Sequence, residues 1–107
     1  MAKHPMTDVI ALRRFALLGP NGAQDVILSI GKPVRFPDAP HGDWYCPWTI
    51  DGPDRFHEHY AGGLDGLQAL LMALSGIRAE LQVVGRSGKL TWLDDEDLGL
   101  ELVGGAA

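Results

Sequence analysis

The residues of this sequence whose types could support chemistry are one cysteine and two histidines that follow it closely. Cys46 lies in the stretch GDWYCPWTID, and His57 and His59 lie in FHEHY. A thiolate beside an imidazole can act as a nucleophile in covalent catalysis. The same three residues could bind zinc, because thiolate sulfur and imidazole nitrogen are common zinc ligands. Both chemistries require Cys46 and at least one of the histidines to meet on one face of a sheet.

The length of the turn in DGPD decides whether these side chains meet. A two-residue turn places Cys46 opposite His59, whereas a three-residue turn places it opposite Tyr60 and moves both histidines to the other face. We favour the three-residue turn because it pairs apolar side chains across the strands. Cys46 is then expected in the core and the histidines on a solvated face. This interpretation predicts no catalytic, cofactor-binding or metal site, and Cys46, His57 and His59 remain the alternative.

The elements that position these residues are short strands separated by Gly- and Pro-rich turns. Asn21-Gly22 is a strong signal for a β-hairpin, because both residues tolerate positive φ. Alternating apolar and polar residues on either side of it predict one buried and one solvated sheet face. We predict strands at about residues 10–18, 25–36, 44–51 and 55–61, with a short fifth strand at 89–93.

One long helix is predicted from about Leu64 to Val83, ending at Gly85. Its apolar residues recur at helical spacing and should cover the apolar face of the sheet. The predicted stripe consists of Leu67, Leu70, Leu71, Leu74, Ile77, Leu81 and Val84.

These elements predict a single α+β domain over residues 1–107. Its core would be a four- or five-stranded, mainly antiparallel sheet with one long helix packed on one face. Residues 1–7 are expected to form a loose N-terminal arm. Residues 94–107, acidic and then rich in Gly and Ala, are expected to form a solvated tail.

A buried ion pair is predicted between Glu58 and Arg78. Arg78 lies near the centre of the predicted apolar stripe, and the favoured turn points Glu58 inward. A buried acid and a buried base on facing surfaces would need each other, because either alone is costly. The alternative for Arg78 is that its stem packs while its charged head reaches solvent.

The opposite side of the helix is predicted to contact another protein surface. Ala69, Met72, Gly76 and Ala79 make it small and nearly uncharged, although a solvated helix face normally has charged residues. The simplest occupant is the same helix of a second subunit in a homodimer. The alternative is that alanine is present only as a good helix former.

Composition restricts the plausible partners and location. The net charge of −5 disfavours nucleic-acid binding, which needs clustered Lys and Arg, and suits a basic protein partner. A single cysteine and the lack of a recognisable signal segment indicate a cytoplasmic protein. We found no continuous apolar run approaching the roughly 18 residues that span a bilayer, so no membrane contact is expected.

The stretches GDWYCPW, GLDGLQALLMALSGIRAEL and LTWL together resemble a small bacterial family known only as a domain of unknown function. The resemblance covers about Arg13 to Leu93. It implies strands plus one long helix, and it implies no activity.

The sequence therefore favours a non-enzymatic cytoplasmic binding or interaction module without a cofactor. One concrete form is a protein that neutralises a basic partner, as a toxin-immunity protein does. The alternative is a small metal-binding protein or thiol enzyme that uses Cys46, His57 and His59.

Overall fold

The computed structural model describes residues 5–39 and 41–100. It confirms an α+β fold in which one long helix packs on a six-stranded antiparallel sheet. The elements in chain order are β1 (Val9–Gly19), β2 (Gly22–Gly31), β3 (Val34–Arg35), β4 (Trp44–Asp51), β5 (Phe56–Gly63), α1 (Gly66–Val84) and β6 (Lys89–Thr91). A single 3₁₀ turn, Gly85–Ser87, connects α1 to β6.

The sheet is centred on β4 and β2. Strand β5 pairs with β4 along its whole length, while β2 and the short β3 share the other edge of β4. Strands β1 and β6 follow beyond β2. Helix α1 packs mainly on β4 and β5, so the hairpin of these two strands and the helix form the layer that positions the candidate site.

The first hairpin forms where Asn21-Gly22 predicts it, but its two-residue loop is Pro20-Asn21. Gly19 pairs with Gly22, whose φ of +96° is readily adopted by glycine. A loop at Asn21-Gly22 would pair Leu17 with Val26, whereas Leu17 pairs with Gln24, so the register is shifted by two residues. Since strand side chains alternate with a period of two, a shift of two preserves the faces. The predicted apolar face is indeed buried; its members are Phe15, Leu17, Val26, Leu28 and Ile30.

The second hairpin has neither of the predicted turns. Four residues, 52–55, connect the strands, and the backbone N–H of Gly52 donates to the carbonyl of Arg55 at 2.8 Å. Trp48 therefore pairs with His59, and Cys46 pairs with Ala61. The prediction that Cys46 faces Tyr60 is wrong. Because the four-residue loop is two residues longer than the two-residue alternative, His57 and His59 lie on the same face of the sheet as in that alternative.

This register also excludes the predicted buried ion pair. Glu58 pairs with Thr49 on the face away from the helix, and it is exposed. Arg78 is exposed on the outer side of α1. Both charges are solvated on different sides of the sheet, so neither needs the other.

The helix is rotated about its axis relative to the predicted stripe. Its fully buried residues are Ala69, Ala73, Ile77 and Leu81, whereas Leu67 and Leu71 are 65% and 44% exposed. Small residues face the sheet because they allow the helix backbone to approach it closely. The large residues assigned to the core therefore lie partly on the outside.

The predicted interaction face does not exist as one exposed surface. Ala69 is fully buried, and Gly76 lies against the indole of Trp48. Met72 and Ala79 remain exposed. The small size of Gly76 thus serves the packing of the helix on its own sheet.

The helix begins with a reciprocal cap. The carboxylate of Asp65 accepts from the backbone N–H of Gln68 at 2.8 Å, and the side chain of Gln68 accepts from the backbone N–H of Leu64 at 2.6 Å. The segment Gly66–Ser87 has a mean hydropathy of 1.3, and by length and composition it could cross a bilayer. A helix that covers the core of a soluble domain passes the same test, and one side of α1 is buried on the sheet.

The described parts of both terminal segments contact the sheet. The hydroxyl of Thr7 donates to the carbonyl of Lys32 at 2.6 Å, and that of Tyr45 donates to the carbonyl of Pro5 at 3.2 Å. At the other end, Arg13 donates to the carbonyl of Leu98 at 2.8 Å and stacks on Trp92. Leu98 and Gly99 are therefore held against β1 and do not belong to a solvated tail, whereas residues 94–97 are exposed. Residues 1–4 and 101–107 of the predicted arm and tail lie outside the described residues.

Candidate metal centre

Two histidines of β5 and one glutamate of α1 form a compact cluster between the sheet and the helix. The Nε2 atom of His59 lies 2.9 Å from Oε1 of Glu80, and the Nδ1 atom of His57 lies 3.9 Å from the same oxygen. The imidazole rings stack with their centroids 5.8 Å apart and their planes 16° apart. One potential ligand atom from each residue lies within 4.8 Å of the other two.

The register of the second hairpin positions the histidines. His57 and His59 are two residues apart on β5, so they share a face, and their partners Ile50 and Trp48 place that face under the helix. The ring of Trp48 lies 5.7 Å from that of His59. The two histidines therefore lie on the helix side of β5 and not on the predicted opposite face, because the predicted turn was one residue too short. The His59 side chain nevertheless stays 49% exposed.

The helix positions the carboxylate. Glu80 follows Gly76 by four residues, so the two lie on the same side of α1, one turn apart. Gly76 allows this side of the helix to approach Trp48 closely. Glu80 is thereby brought over β5, where it reaches both imidazoles.

The carboxylate of Glu80 is poorly compensated for its burial. The side chain is only 13% exposed, and its Oε2 atom is buried with no hydrogen-bond partner among the described residues. Withdrawing a carboxylate from water is costly unless positive charge or several donors compensate it. A bound cation would supply that charge at the point where the three side chains converge.

The donor set suits a transition metal. Imidazole nitrogen and carboxylate oxygen bind zinc at about 2.0–2.2 Å, so ligand atoms around one ion stand roughly 3–3.5 Å apart. His59 and Glu80 are slightly closer than this, at 2.9 Å between Nε2 and Oε1. His57 would need to move closer, because its Nδ1 atom lies 3.9 Å from Oε1 of Glu80.

Cys46 is not part of this cluster. Its side chain is fully buried, and its thiol donates to the carbonyl of Gly31 at 3.4 Å. Burial raises the pKa of Cys46 to about 11, because an apolar environment disfavours the thiolate. Its strand partner is Ala61, two residues beyond His59. The thiol is thus a packed core group, as its row with Trp48 and Ile50 predicts.

The burial of Cys46 predicts that its thiol reacts slowly in the native protein. In the native protein at pH 8, Cys46 should react with a thiol reagent such as dithionitrobenzoate only as fast as the protein unfolds, because the thiolate is the reactive species. The rate should rise to that of a free thiol in denaturant. Rapid labelling of the native protein would contradict the packed role and support a reactive cysteine.

A pocket of about 630 Å³ adjoins the cluster. It lies between the loop of the second hairpin and the C-terminal end of α1, and His57, His59 and Glu80 line one side. Val83 and Val84 contribute to its apolar surface, while Arg55 and Arg86 contribute charge. Ligand atoms on the cluster are therefore accessible from an open cavity.

Glu80 is the residue that the sequence analysis missed as a candidate ligand. Its proximity to the histidines depends on the hairpin register and the rotation of α1 together. A Glu twenty-one residues after a His-x-His pair has no recognisable spacing for a metal site.

The fold and this cluster define a class of protein: a small α+β domain with a candidate metal centre between a β-hairpin and its covering helix. Residues 11–102 of the chain match the family described as a domain of unknown function, DUF6968. The chain belongs to this family, which agrees with the resemblance to an uncharacterised family. No curated protein and no solved structure shows significant similarity to the chain.

Proposed function

We propose that this domain is a small binding module whose ligand, at the His57–His59–Glu80 cluster, is a divalent transition-metal ion. The observation that supports the proposal is the burial of Glu80 beside two imidazoles, with one carboxylate oxygen lacking a partner among the described residues. Two potential ligands from β5 and one from α1 converge at this point.

The chemistry of the ligands supports the choice of ion. Imidazole suits zinc, copper, iron and nickel, whereas calcium and magnesium prefer all-oxygen sites. Two histidines therefore favour a transition metal, and zinc is a suitable test ion because it has no redox chemistry. The alternative of a thiol enzyme has less support, since Cys46 is buried and its pKa is raised to about 11.

Isothermal titration calorimetry with zinc chloride tests this function on the metal-free protein. We expect one ion per chain and a loss of this binding in a His57→Ala variant. His41→Ala is the matched control, because His41 is exposed and is not part of the cluster. Equal binding by both variants and the wild type, or no binding by the wild type, would contradict the proposal.

Self-association is a second candidate function, supported by the outer face of α1. Leu64, Leu67, Leu71 and Met72 are all exposed, and they lie close together at the N-terminal end of the helix. Burying such apolar side chains against a second copy would be favourable. A homodimer is the simplest arrangement, since a two-fold axis brings one patch against itself. The net charge of −5 suggests a further hypothesis, in which a basic cytoplasmic protein binds this domain at the same face.

Light scattering with a Leu67→Lys variant tests self-association. The wild type should be a dimer at high micromolar concentration, and the variant should be a monomer because a lysine would be buried at the centre of the contact. The variant should keep its fold, since position 67 is 65% exposed. A monomeric wild type would exclude the homodimer and leave this face for another partner.

A further inference from the structure

We propose that the metal-loaded pocket binds a small organic anion, a monocarboxylate with an apolar body, whose carboxylate completes the coordination of the ion. This inference rests on the proposed metal-binding function and names the second ligand of the same site. It follows from three properties of the pocket: open coordination positions, a change of charge on metal binding, and an apolar wall.

The coordination number leaves positions open. The cluster supplies three protein ligands, and zinc or cobalt takes at least four. All three residues line the same pocket, so a further ligand can approach from this cavity. Zinc sites with three protein ligands typically hold water or an exogenous ligand in the remaining position.

The charge of the pocket changes when the ion binds. Without the ion and with neutral imidazoles, the charges of Arg55 and Arg86 balance those of Asp54 and Glu80. A divalent ion makes the same surface positive by two charges. Neither arginine forms an ion pair within the described part of the chain, so both are available to an anion. The metal therefore makes the pocket selective for an anion.

The remaining wall fits an apolar body. Pro53 of the hairpin loop and Val83 and Val84 of α1 contribute aliphatic surface, and Leu17 lies at the sheet side. The volume of about 630 Å³ lies within the range of small-molecule sites, roughly 300–1,000 Å³. An inorganic anion would fill little of this space. A carboxylate attached to a ring or a branched chain would occupy both the metal position and the apolar wall.

Cobalt(II) and benzoate provide the test. Cobalt has visible absorption bands that change when an inner-sphere ligand is exchanged. Benzoate added to the cobalt-loaded protein should change these bands and give a saturable calorimetric signal, whereas benzamide, its neutral isostere, should do neither. Benzoate should bind the metal-free protein at least about tenfold more weakly, since its charged partner is missing.

Two arginine variants complete the test. Arg86→Met, inside the pocket, should weaken benzoate binding by about tenfold while cobalt binding stays unchanged. Arg78→Met should have no effect, because Arg78 is an exposed arginine of α1 that does not line this pocket. If cobalt binds but benzoate binds equally with and without it, equally in both variants, or not at all, the anion site is wrong and the metal function stands. If neither cobalt nor zinc binds, both proposals fail.

Discussion

Zinc at 100 times its dissociation constant should raise the free energy of unfolding of the wild-type domain by about 2.7 kcal/mol. The same zinc concentration should leave a Glu80→Gln variant almost unchanged. The amide keeps the shape of the side chain but removes the negative charge of the carboxylate, which lies beside both imidazoles and would bind the ion with them. Differential scanning calorimetry would show the effect as a rise in Tm of more than about 10 °C in the wild type.

The matched control for this prediction is Glu58→Gln. Glu58 lies on the same strand as the two histidines, but it is exposed on the opposite face of the sheet. Zinc should stabilise this variant as much as the wild type. Equal stabilisation of Glu80→Gln and Glu58→Gln would show that the ion binds elsewhere on the chain.

The metal-free state separates a ligand role of Glu80 from a structural one. One oxygen of the buried carboxylate has no partner within the described residues, so metal-free Glu80→Gln should be about as stable as the metal-free wild type. If Glu80 only supported the fold, Glu80→Gln would lower the stability of the metal-free protein, and zinc would stabilise the variant as much as the wild type. Urea denaturation in the presence of a chelator measures this difference.

Gly76→Leu should destabilise the domain by about 1–3 kcal/mol or more. A Cβ atom at position 76 would lie 2.7 Å from Cη2 and 3.1 Å from Cζ2 of Trp48, which is closer than side chains pack. The indole is buried among core residues, so α1 must move away from the sheet. The better helix propensity of leucine offsets only about 1 kcal/mol of this cost. Urea denaturation followed by tryptophan fluorescence would measure the loss.

Ala79→Leu is the control for this substitution. Position 79 is exposed on the same helix, so the change should stay within about 0.5 kcal/mol. Gly76→Leu should also weaken zinc binding, because Glu80 lies one turn further along the displaced side of α1. A variant at 76 that is as stable as the one at 79 would contradict the observed rotation of the helix.

Local patterns in the sequence determined the existence and type of the main elements. Alternation in β1 and β2 identified the buried face, and that assignment survived a register shift of two residues because the side-chain period is also two. The glycine after Val84 predicted the end of the helix closely, since the signals that end a helix are local. The fold class follows from these elements, because an apolar helix stripe and a one-sided sheet must cover each other.

Only the tertiary structure decided which side chains meet. The turn of the second hairpin has one residue more than the favoured prediction. A shift of one residue moves every side chain of β5 to the other face. Cross-strand pairing preferences are too weak to determine that choice, at roughly 0.2–1 kcal/mol each. The rotation of α1 depended on the close fit of Gly76 on Trp48, which is a contact between residues 28 positions apart. The cluster of His57, His59 and Glu80 required both outcomes, because it joins a strand face to a helix face that are not neighbours in sequence.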